Sequence, residues 1–316
     1  MRGGARALCE NPAPASRPPA LPPSRLPARM HAQPTPAAPG PADATAHWHW
    51  PLLLKGSAVL HLGAGAALLA APQQWPWALG AIAANHALVT ATGLWPRSTW
   101  LGDNLRRLPE AAAARGEVAL TIDDGPNPDV TPAVLDLLDA AGARATFFCI
   151  AAQAERHAAL CREIVRRGHG VENHSHRHAH NFSLLGPRAL RREVGRAQDA
   201  LSQITGQRPR FFRAPAGLRN PFLAPQLHRL GLCLVSWTRR GFDTVRGDPA
   251  DVLARLTHRL RAGDILLLHD AHMAHTAGGR PVVLEVLPAL LRRFELDGLR
   301  PVTLVEAMRP GLLPSR

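Results

Sequence analysis

From Glu117 onward the chain alternates short apolar runs with longer amphipathic stretches, and no other feature constrains the fold as strongly. The short runs predict strands and are EVALTI, ARATFFCI, RFFRAP, LCLVSW and DILLLHD. The longer stretches predict helices and are TPAVLDLLDAAG, RALRREVGRAQDALSQITG, NPFLAPQLHRLG, DPADVLARLTHRLRAG and PVVLEVLPALLRRFELDG. Such alternation predicts an α/β domain with a parallel sheet, which is either open or closed into a barrel.

Local signals predict several boundaries of these elements. Thr131 is an expected helix cap with Pro132 at the first helical position, and Gly206 ends a later helix. Pro288 predicts a local kink, and RPVTLVEA predicts a final strand or turn.

Polar side chains follow the predicted strands at their carboxyl ends. They are Asp123, Asp124, the histidines of NHSHRHAH, Arg213, Trp237, His269 and Asp270. Because βα proteins assemble their active sites at this edge of the sheet, we expect these side chains to converge on one site.

Two motifs carry metal and acid–base chemistry. The adjacent carboxylates of TIDDGPNP project in different directions, so one can bind a metal ion while its neighbour acts as a base, although such a stretch alone is also typical of a turn. In NHSHRHAH the histidines share one face of a strand, or form two i, i+4 pairs on a helical turn, His174 with His178 and His176 with His180. Either pair and a carboxylate form an open, catalytic type of metal site.

Five motifs together resemble the polysaccharide deacetylases, also called the NodB-homology domain or carbohydrate esterase family 4. TIDDGP, HSHRH, RAPAG, the tryptophan of SWTRRGFD, and LLLHD occur in that family's order over about residues 117–305. The resemblance implies a distorted parallel (β/α) barrel of the NodB-homology type. It also selects His174 and His178 as metal ligands, because only His174 is followed by the serine that the family motif requires.

The resemblance implies a role for each matching residue. Asp124, His174 and His178 would hold one divalent ion, zinc in first place, with cobalt, manganese and nickel as alternatives. Asp123 would be the general base, His269 the general acid, and Arg213 the group that orients the base. The ion and a backbone N–H near Ala216 would stabilise the oxyanion. The substrate-binding residues implied are Pro215, Ala216, Gly217, Trp237 and Leu267, the last lining a pocket for the acetyl methyl group.

Two positions depart from the family pattern. Ala216 stands where the family often has an aromatic residue, and its small side chain removes one wall of the sugar groove. Arg240 stands where the family often has an acid that tunes the acid histidine, and Asp243 is the candidate substitute.

The first 116 residues differ in character from the rest. Residues 1–46 are rich in Pro and Ala and predict a disordered leader with no secretory-signal pattern, in which Met30 is an alternative start. Residues 47–97 contain two uncharged apolar segments, 56–72 and 75–95, and predict a two-helix transmembrane hairpin. The first segment is long enough to span a bilayer only together with the preceding PLLLK. Residues 98–116 are an expected linker, and 117–316 the catalytic domain.

The tryptophans and charges favour a membrane over the alternative, a buried helical hairpin. Six of the seven tryptophans flank the two segments, as in an interfacial belt: Trp48, Trp50, Trp75, Trp77, Trp95 and Trp100. Basic residues lie at the outer ends of the segments and not in the turn, so the positive-inside rule predicts a two-pass protein of the bacterial cytoplasmic membrane with both ends in the cytoplasm.

Composition argues against several classes of protein and of structural site. The net charge of +13 is almost entirely arginine without basic–aromatic runs, so we expect no nucleic-acid partner. The four cysteines form no CxxC pair and predict buried thiols, not disulfides or a zinc ribbon. No protein partner can be inferred.

The leading hypothesis is a membrane-anchored, metal-dependent hydrolase that removes N-acyl groups, above all acetyl, from amino sugars of a polysaccharide or lipid-linked glycan. Two alternatives stay open. One is a metal-dependent hydrolase of a non-sugar amide or cyclic imide, which Ala216 and Arg240 favour, and the other is a catalytically silent, membrane-anchored glycan-binding protein.

Overall fold

The computed structural model describes residues 48–309, so the leader expected over residues 1–46 lies outside the described residues. The first elements are two apolar helices, α1 (Leu52–Ala70) and α2 (Trp75–Leu94), joined by a 3₁₀ turn at Pro72–Gln74. They pack against each other, and α1 includes residues 52–55 of the PLLLK run expected to extend it.

Polar side chains of the hairpin face each other between its two helices. Asn85 Nδ2 donates to Ser57 Oγ at 2.8 Å, and the Nε2 atoms of His61 and His86 lie 3.3 Å apart. The outer surface is apolar, with Leu62 75% and Leu69 88% exposed. Among the described helices, only α1 is long and apolar enough to cross a membrane.

The rest of the described chain is an α/β domain. Its strands are β1 (Glu117–Asp123), β2 (Thr146–Cys149), β3 (Gly170–Asn173), β4 (Phe211–Phe212), β5 (Cys233–Leu234), β6 (Arg239–Arg240), β7 (Ile265–His269) and β8 (Arg300–Val302). Its helices are α3 (Glu110–Ala114), α4 (Thr131–Ala140), α5 (Ala151–Arg156), α6 (Ala158–Arg166), α7 (Pro187–Thr205), α8 (Leu223–Leu230), α9 (Pro249–Thr257), α10 (Val282–Leu296) and α11 (Leu304–Ala307).

All the paired strands are parallel, which confirms the predicted sheet. Their order is β5-β4-β3-β2-β1-β7-β6, with β8 also paired to β1. β1 is buried along its whole length because helices and loops cover both of its faces. The main core packs apolar side chains of β1 and β7 against α4, α9 and α10. The carboxyl ends of β1, β3 and β7 therefore point to one edge.

The sheet is open, because β5 and β6 are its two ends and do not pair with each other. Leu105, in the segment expected to be a linker, pairs with Val235, directly after β5, at this opening. Its N–H donates to the carbonyl of Leu234 at 2.9 Å, and its carbonyl accepts from the N–H of Ser236 at 2.9 Å. The strands thus form a parallel half-barrel that is open between β5 and β6, in keeping with the distorted barrel that the resemblance implies.

Other local predictions are corrected in detail. Val130, not Thr131, is the residue before α4, and the Thr131 hydroxyl donates to Asp270 Oδ2 at 2.5 Å instead of capping the helix. The runs RFFRAP and LCLVSW form strands of only two residues each. α10 continues through Pro288. Cys149 and Cys161 are buried as expected, whereas Cys233 is exposed and Cys9 lies outside the described residues.

Candidate active site and metal centre

Asp123 and Asp124 lie at the carboxyl end of β1 and point to different partners. Asp123 is the last residue of the strand, and Asp124 takes a left-handed backbone conformation with φ of 77°. This change of direction sends the Asp123 carboxylate toward Arg213 and the Asp124 carboxylate toward the histidines. The two adjacent acids therefore have separate environments.

The histidine cluster follows β3 as an irregular loop, so neither the strand nor the helical-turn interpretation of NHSHRHAH is right. Ser175 and His178 have φ of 64° and 53°, and the Ser175 Oγ accepts from the His178 N–H at 3.0 Å. This tight turn folds the loop back and aims the rings of His174 and His178 at the same point, with centroids 4.9 Å apart.

His176 and His180 point elsewhere. The His176 Nε2 lies 3.2 Å from Oε2 of Glu155, a residue of α5, and His180 is exposed. Alternate histidines of the cluster thus differ in their surroundings.

Asp124, His174 and His178 form the one cluster of metal-ligand type found among residues 48–309. The Asp124 Oδ1 lies 3.2 Å from His174 Nε2 and 3.3 Å from His178 Nε2, and one ligand atom from each residue lies within 4.8 Å of the others. That oxygen is buried and has no hydrogen-bond partner among the described residues. A buried, unsatisfied carboxylate oxygen facing two imidazole nitrogens fits a divalent ion.

The protonation states also suit a metal. Burial acts to raise the pKa of Asp124, but contacts with His174 and His272 outweigh it and hold that pKa well below its usual value. Burial, assisted by the neighbouring His174, lowers the pKa of His178 to about 4. An ionised carboxylate and a neutral imidazole are the forms that bind metal ions.

Arg213 follows β4 and is almost fully buried beside Asp123. Its Nη1 donates to Asp123 Oδ1 at 2.6 Å and to Thr121 Oγ1 at 2.8 Å, and its Nη2 donates to the Ser236 carbonyl at 3.1 Å. The guanidinium also lies 4.1 Å from the centre of the Phe148 ring. These contacts fix the orientation of the Asp123 carboxylate.

His269, the last residue of β7, is held by Asp243. The His269 Nδ1 lies 2.9 Å from Asp243 Oδ1, and the His269 N–H donates to Asp243 Oδ2 at 2.8 Å. Burial lowers the pKa of His269, but the Asp243 hydrogen bond and charge outweigh it, so the net shift is upward. With Nδ1 occupied, Nε2 is the nitrogen left to face a substrate.

Known proteins match this chain across the domain that carries the site. The family profile described as polysaccharide deacetylase matches residues 111–235. A chitooligosaccharide deacetylase of Sinorhizobium fredii is 36% identical over 169 residues, 53% of this chain and 78% of that protein. The chain belongs to the polysaccharide deacetylase family. A second chitooligosaccharide deacetylase, from Azorhizobium caulinodans, is 32% identical and covers 58% of this chain and 93% of that protein.

Solved structures of the polysaccharide deacetylase family agree in fold. The family 4 carbohydrate esterase from Streptomyces lividans, in complex with acetate, is 30% identical with a TM-score of 0.53, over 59% of this chain and 91% of that chain. A peptidoglycan N-acetylglucosamine deacetylase has a TM-score of 0.59 at 23% identity, over 66% of this chain and 94% of that chain, which shows the shared fold.

The candidate site of this family member opens into a cleft of about 180 Å³. Asp123, Asp124, His174, His178 and His269 line it, together with Ala216, Gly217, Trp237, Arg240, Thr244 and Leu267. In the 3₁₀ turn Pro215–Gly217, Pro215 is buried, whereas Ala216 is exposed and has φ of 53°. All the residues predicted for the site therefore lie in the cleft or support it, as Arg213, Pro215 and Asp243 do.

One histidine of the site was not predicted from the sequence. His272 lies on the loop after β7, and its Nδ1 is 3.1 Å from the second carboxylate oxygen of Asp124, Oδ2. The only signal was its place three residues after His269, in HDAH. A contact of this kind holds a ligating carboxylate in one orientation.

Proposed function

We propose that this chain is a metal-dependent N-deacetylase that acts on amino sugars of a polysaccharide or lipid-linked glycan and is anchored in a membrane by its N-terminal hairpin. One observation carries the proposal: a carboxylate held by arginine and a histidine held by carboxylate line the same cleft as the Asp–His–His cluster. These are the base, acid and metal site that hydrolysis of an unactivated amide needs.

Asp124, His174 and His178 would hold the ion, for which zinc, cobalt, manganese and nickel are all suitable. When bound, the ion would supply a Lewis acid that polarises the N-acyl carbonyl. The Asp123 carboxylate would take a proton from the attacking water, whose oxygen bonds to the carbonyl carbon. Arg213 keeps that carboxylate facing the cleft.

His269 would complete the reaction as the general acid. Its Nε2 would donate a proton to the amide nitrogen as the carbon–nitrogen bond breaks, which releases the free amine and a carboxylic acid. Asp243 holds the ring from the other nitrogen and favours its protonated form. Leu267, Trp237 and the turn Pro215–Gly217 would form the walls that position the acyl group and the sugar.

The domain organisation supports an anchored enzyme. We propose a leader over 1–46, a two-pass hairpin over 47–97, a linker over 98–116 and the catalytic domain over 117–316, with both ends on the cytoplasmic side. The exposed leucines of α1 and the exposed Trp50, Trp75 and Trp77 support burial of the hairpin in lipid. Reporters active only in the cytoplasm or only in the periplasm, fused after Arg316, test the orientation.

Acetate release by the full chain in detergent tests the reaction. N-acetylglucosamine oligomers, a lipid-linked N-acetyl sugar and a small cyclic imide would each be supplied with zinc, cobalt, manganese or nickel. We expect release from an amino-sugar substrate, lost in Asp123→Asn and retained in Asp129→Asn, which changes an exposed aspartate directly after the same motif. Turnover of the imide alone, or no effect of Asp123→Asn, would overturn the proposal.

A further inference from the structure

Arg240 is a cation in the cleft without an acidic partner among the described residues. Its guanidinium lies 5.3 Å from the centre of the Trp237 ring and 4.9 Å from that of Phe242. No carboxylate lies within ion-pair distance of it, and its buried Nε has no acceptor. Arg239, the preceding residue in β6, instead pairs with Asp264 at 3.0 Å.

The acids that line the cleft, and Asp243 behind it, already have basic partners. Asp123 pairs with Arg213 at 2.6 Å, and Asp243 pairs with His269 at 2.9 Å. The Asp124 oxygens face His174, His178 and His272. The positive charge of Arg240 is therefore not balanced by any of these acids. Its side chain lines the space that a substrate would occupy. A neutral sugar gives no reason for a cation there, whereas an anionic substrate does.

The end of α2 and the residues after it pack behind the turn that lines the cleft. The Arg219 N–H donates to the Gly93 carbonyl at 3.1 Å, and a Cβ on Gly217 would come within 2.7 Å of both Pro96 and Trp237. Arg97, also exposed at this end, donates to the Thr238 carbonyl at 3.3 Å. The cleft thus adjoins the point where the apolar hairpin meets the catalytic domain.

We propose that the cleft takes an N-acyl amino sugar bearing a phosphate group next to the reacting sugar, and that Arg240 binds this phosphate. The inference rests on the function proposed above and specifies its substrate class. The planar guanidinium donates paired hydrogen bonds that match phosphate oxygens, and the Trp237 and Phe242 rings hold it in place for them. The phosphate could belong to a lipid-linked sugar or to a soluble sugar phosphate.

Binding to the full chain in lipid nanodiscs, measured by calorimetry, tests the proposal apart from turnover. The probes are N-acetylglucosamine, N-acetylglucosamine 1-phosphate and N-acetylglucosamine joined to a short polyprenyl chain through diphosphate. We expect wild type to bind the phosphorylated probes roughly tenfold to a hundredfold more tightly than the neutral sugar, since one or two charge-assisted hydrogen bonds are gained. Tighter binding of the lipid-linked probe would assign the phosphate to a lipid carrier, and equal binding to a soluble one.

Three variants identify the residue responsible. Arg240→Gln should lose the preference for phosphate, and Arg240→Lys should keep part of it because the charge remains. Arg246→Gln, which removes an exposed arginine outside the cleft, should keep all of it. Equal binding of neutral and phosphorylated sugars by wild type, or an unchanged preference in Arg240→Gln, would overturn the inference. A phosphate preference without any acetate release would instead overturn the deacetylase function alone.

Discussion

Nη1 of Arg213 lies 2.6 Å from Oδ1 of Asp123, a residue 90 positions earlier in the chain. The same side chain also bonds Thr121 and the carbonyl of Ser236, so its shape matters as much as its charge. We expect Arg213→Lys, which keeps the charge but not the fork, to lower kcat about 100-fold through a misplaced base. Bound metal, measured by atomic emission, should stay unchanged because only the carbonyl of Arg213, which the substitution keeps, contacts a metal ligand, at 2.8 Å from His174 Nδ1. Arg210→Lys, at an exposed site beside β4, is the control, and loss of metal in Arg213→Lys would contradict this role.

Asp243 should set the alkaline limit of activity. Its hydrogen bond and charge hold the pKa of His269 above the usual value, so the acid stays protonated to higher pH. Asp243→Asn removes the charge, lowers that pKa and should move the alkaline limb of the kcat profile toward lower pH. Asp248→Asn, at the exposed cap of α9, should leave the limb in place. An unmoved limb in Asp243→Asn would exclude His269 as the group that titrates there.

His272 should contribute to metal affinity without being a ligand. Its ring contacts the Asp124 oxygen that does not face His174 and His178. Because such contacts orient ligating carboxylates, His272→Ala should weaken metal binding roughly 10- to 100-fold, as measured by competition with a chelator. His180→Ala removes an exposed histidine of the nearby loop and should change nothing. Equal affinity of the two variants would show that the contact is incidental.

His169 should make the fold sensitive to acid. Its buried Nδ1 accepts a hydrogen bond from the Ala145 N–H, which requires a neutral ring, and burial lowers its pKa to about 4. The unfolded chain therefore binds more protons between about pH 4 and pH 6.5, and folding stability falls as the pH drops through that window. We expect a loss of about 2 kcal/mol after allowance for solvent screening. His169→Asn keeps a hydrogen-bond acceptor, but its amide does not titrate. The free energy of unfolding of this variant, measured with urea, should therefore depend less on pH than that of wild type. The same slope in both proteins would assign the effect to other groups.

Gly217 should be needed for the cleft wall. Its φ is 75°, and a Cβ there would lie 2.7 Å from Pro96 and Trp237, so Gly217→Ala adds a steric clash to backbone strain. We expect roughly 2–4 kcal/mol of destabilisation and a loss of activity. Gly206 has φ of 70° but open space around it, so Gly206→Ala should show strain of only about 1 kcal/mol and full activity. Equal effects of the two substitutions, in thermal unfolding and acetate release, would show that the contact with Pro96 is unimportant.

Much of the site could be predicted because it lies at strand ends. Apolar runs of four to seven residues carry a local signal that shows where β1, β2 and β7 end, and the next polar residues then share an edge. The family motifs added the choice of His174 and His178 over the other two histidines. Helices α5 and α6 and strand β6 were not predicted individually, because short elements carry weaker periodic signals.

The sequence by itself determined the parallel α/β class, the helical hairpin and the residues that end each strand, since these depend on the local period of apolar side chains. Only the tertiary structure decided the contacts that join distant segments: Leu105 beside Val235, Pro96 against Gly217, His272 on Asp124, and Arg240 without an acid. The physical reason is that strand order and the left-handed turns at Asp124, Ser175 and His178 direct these side chains in space. Neither is encoded in the spacing of residues along the chain.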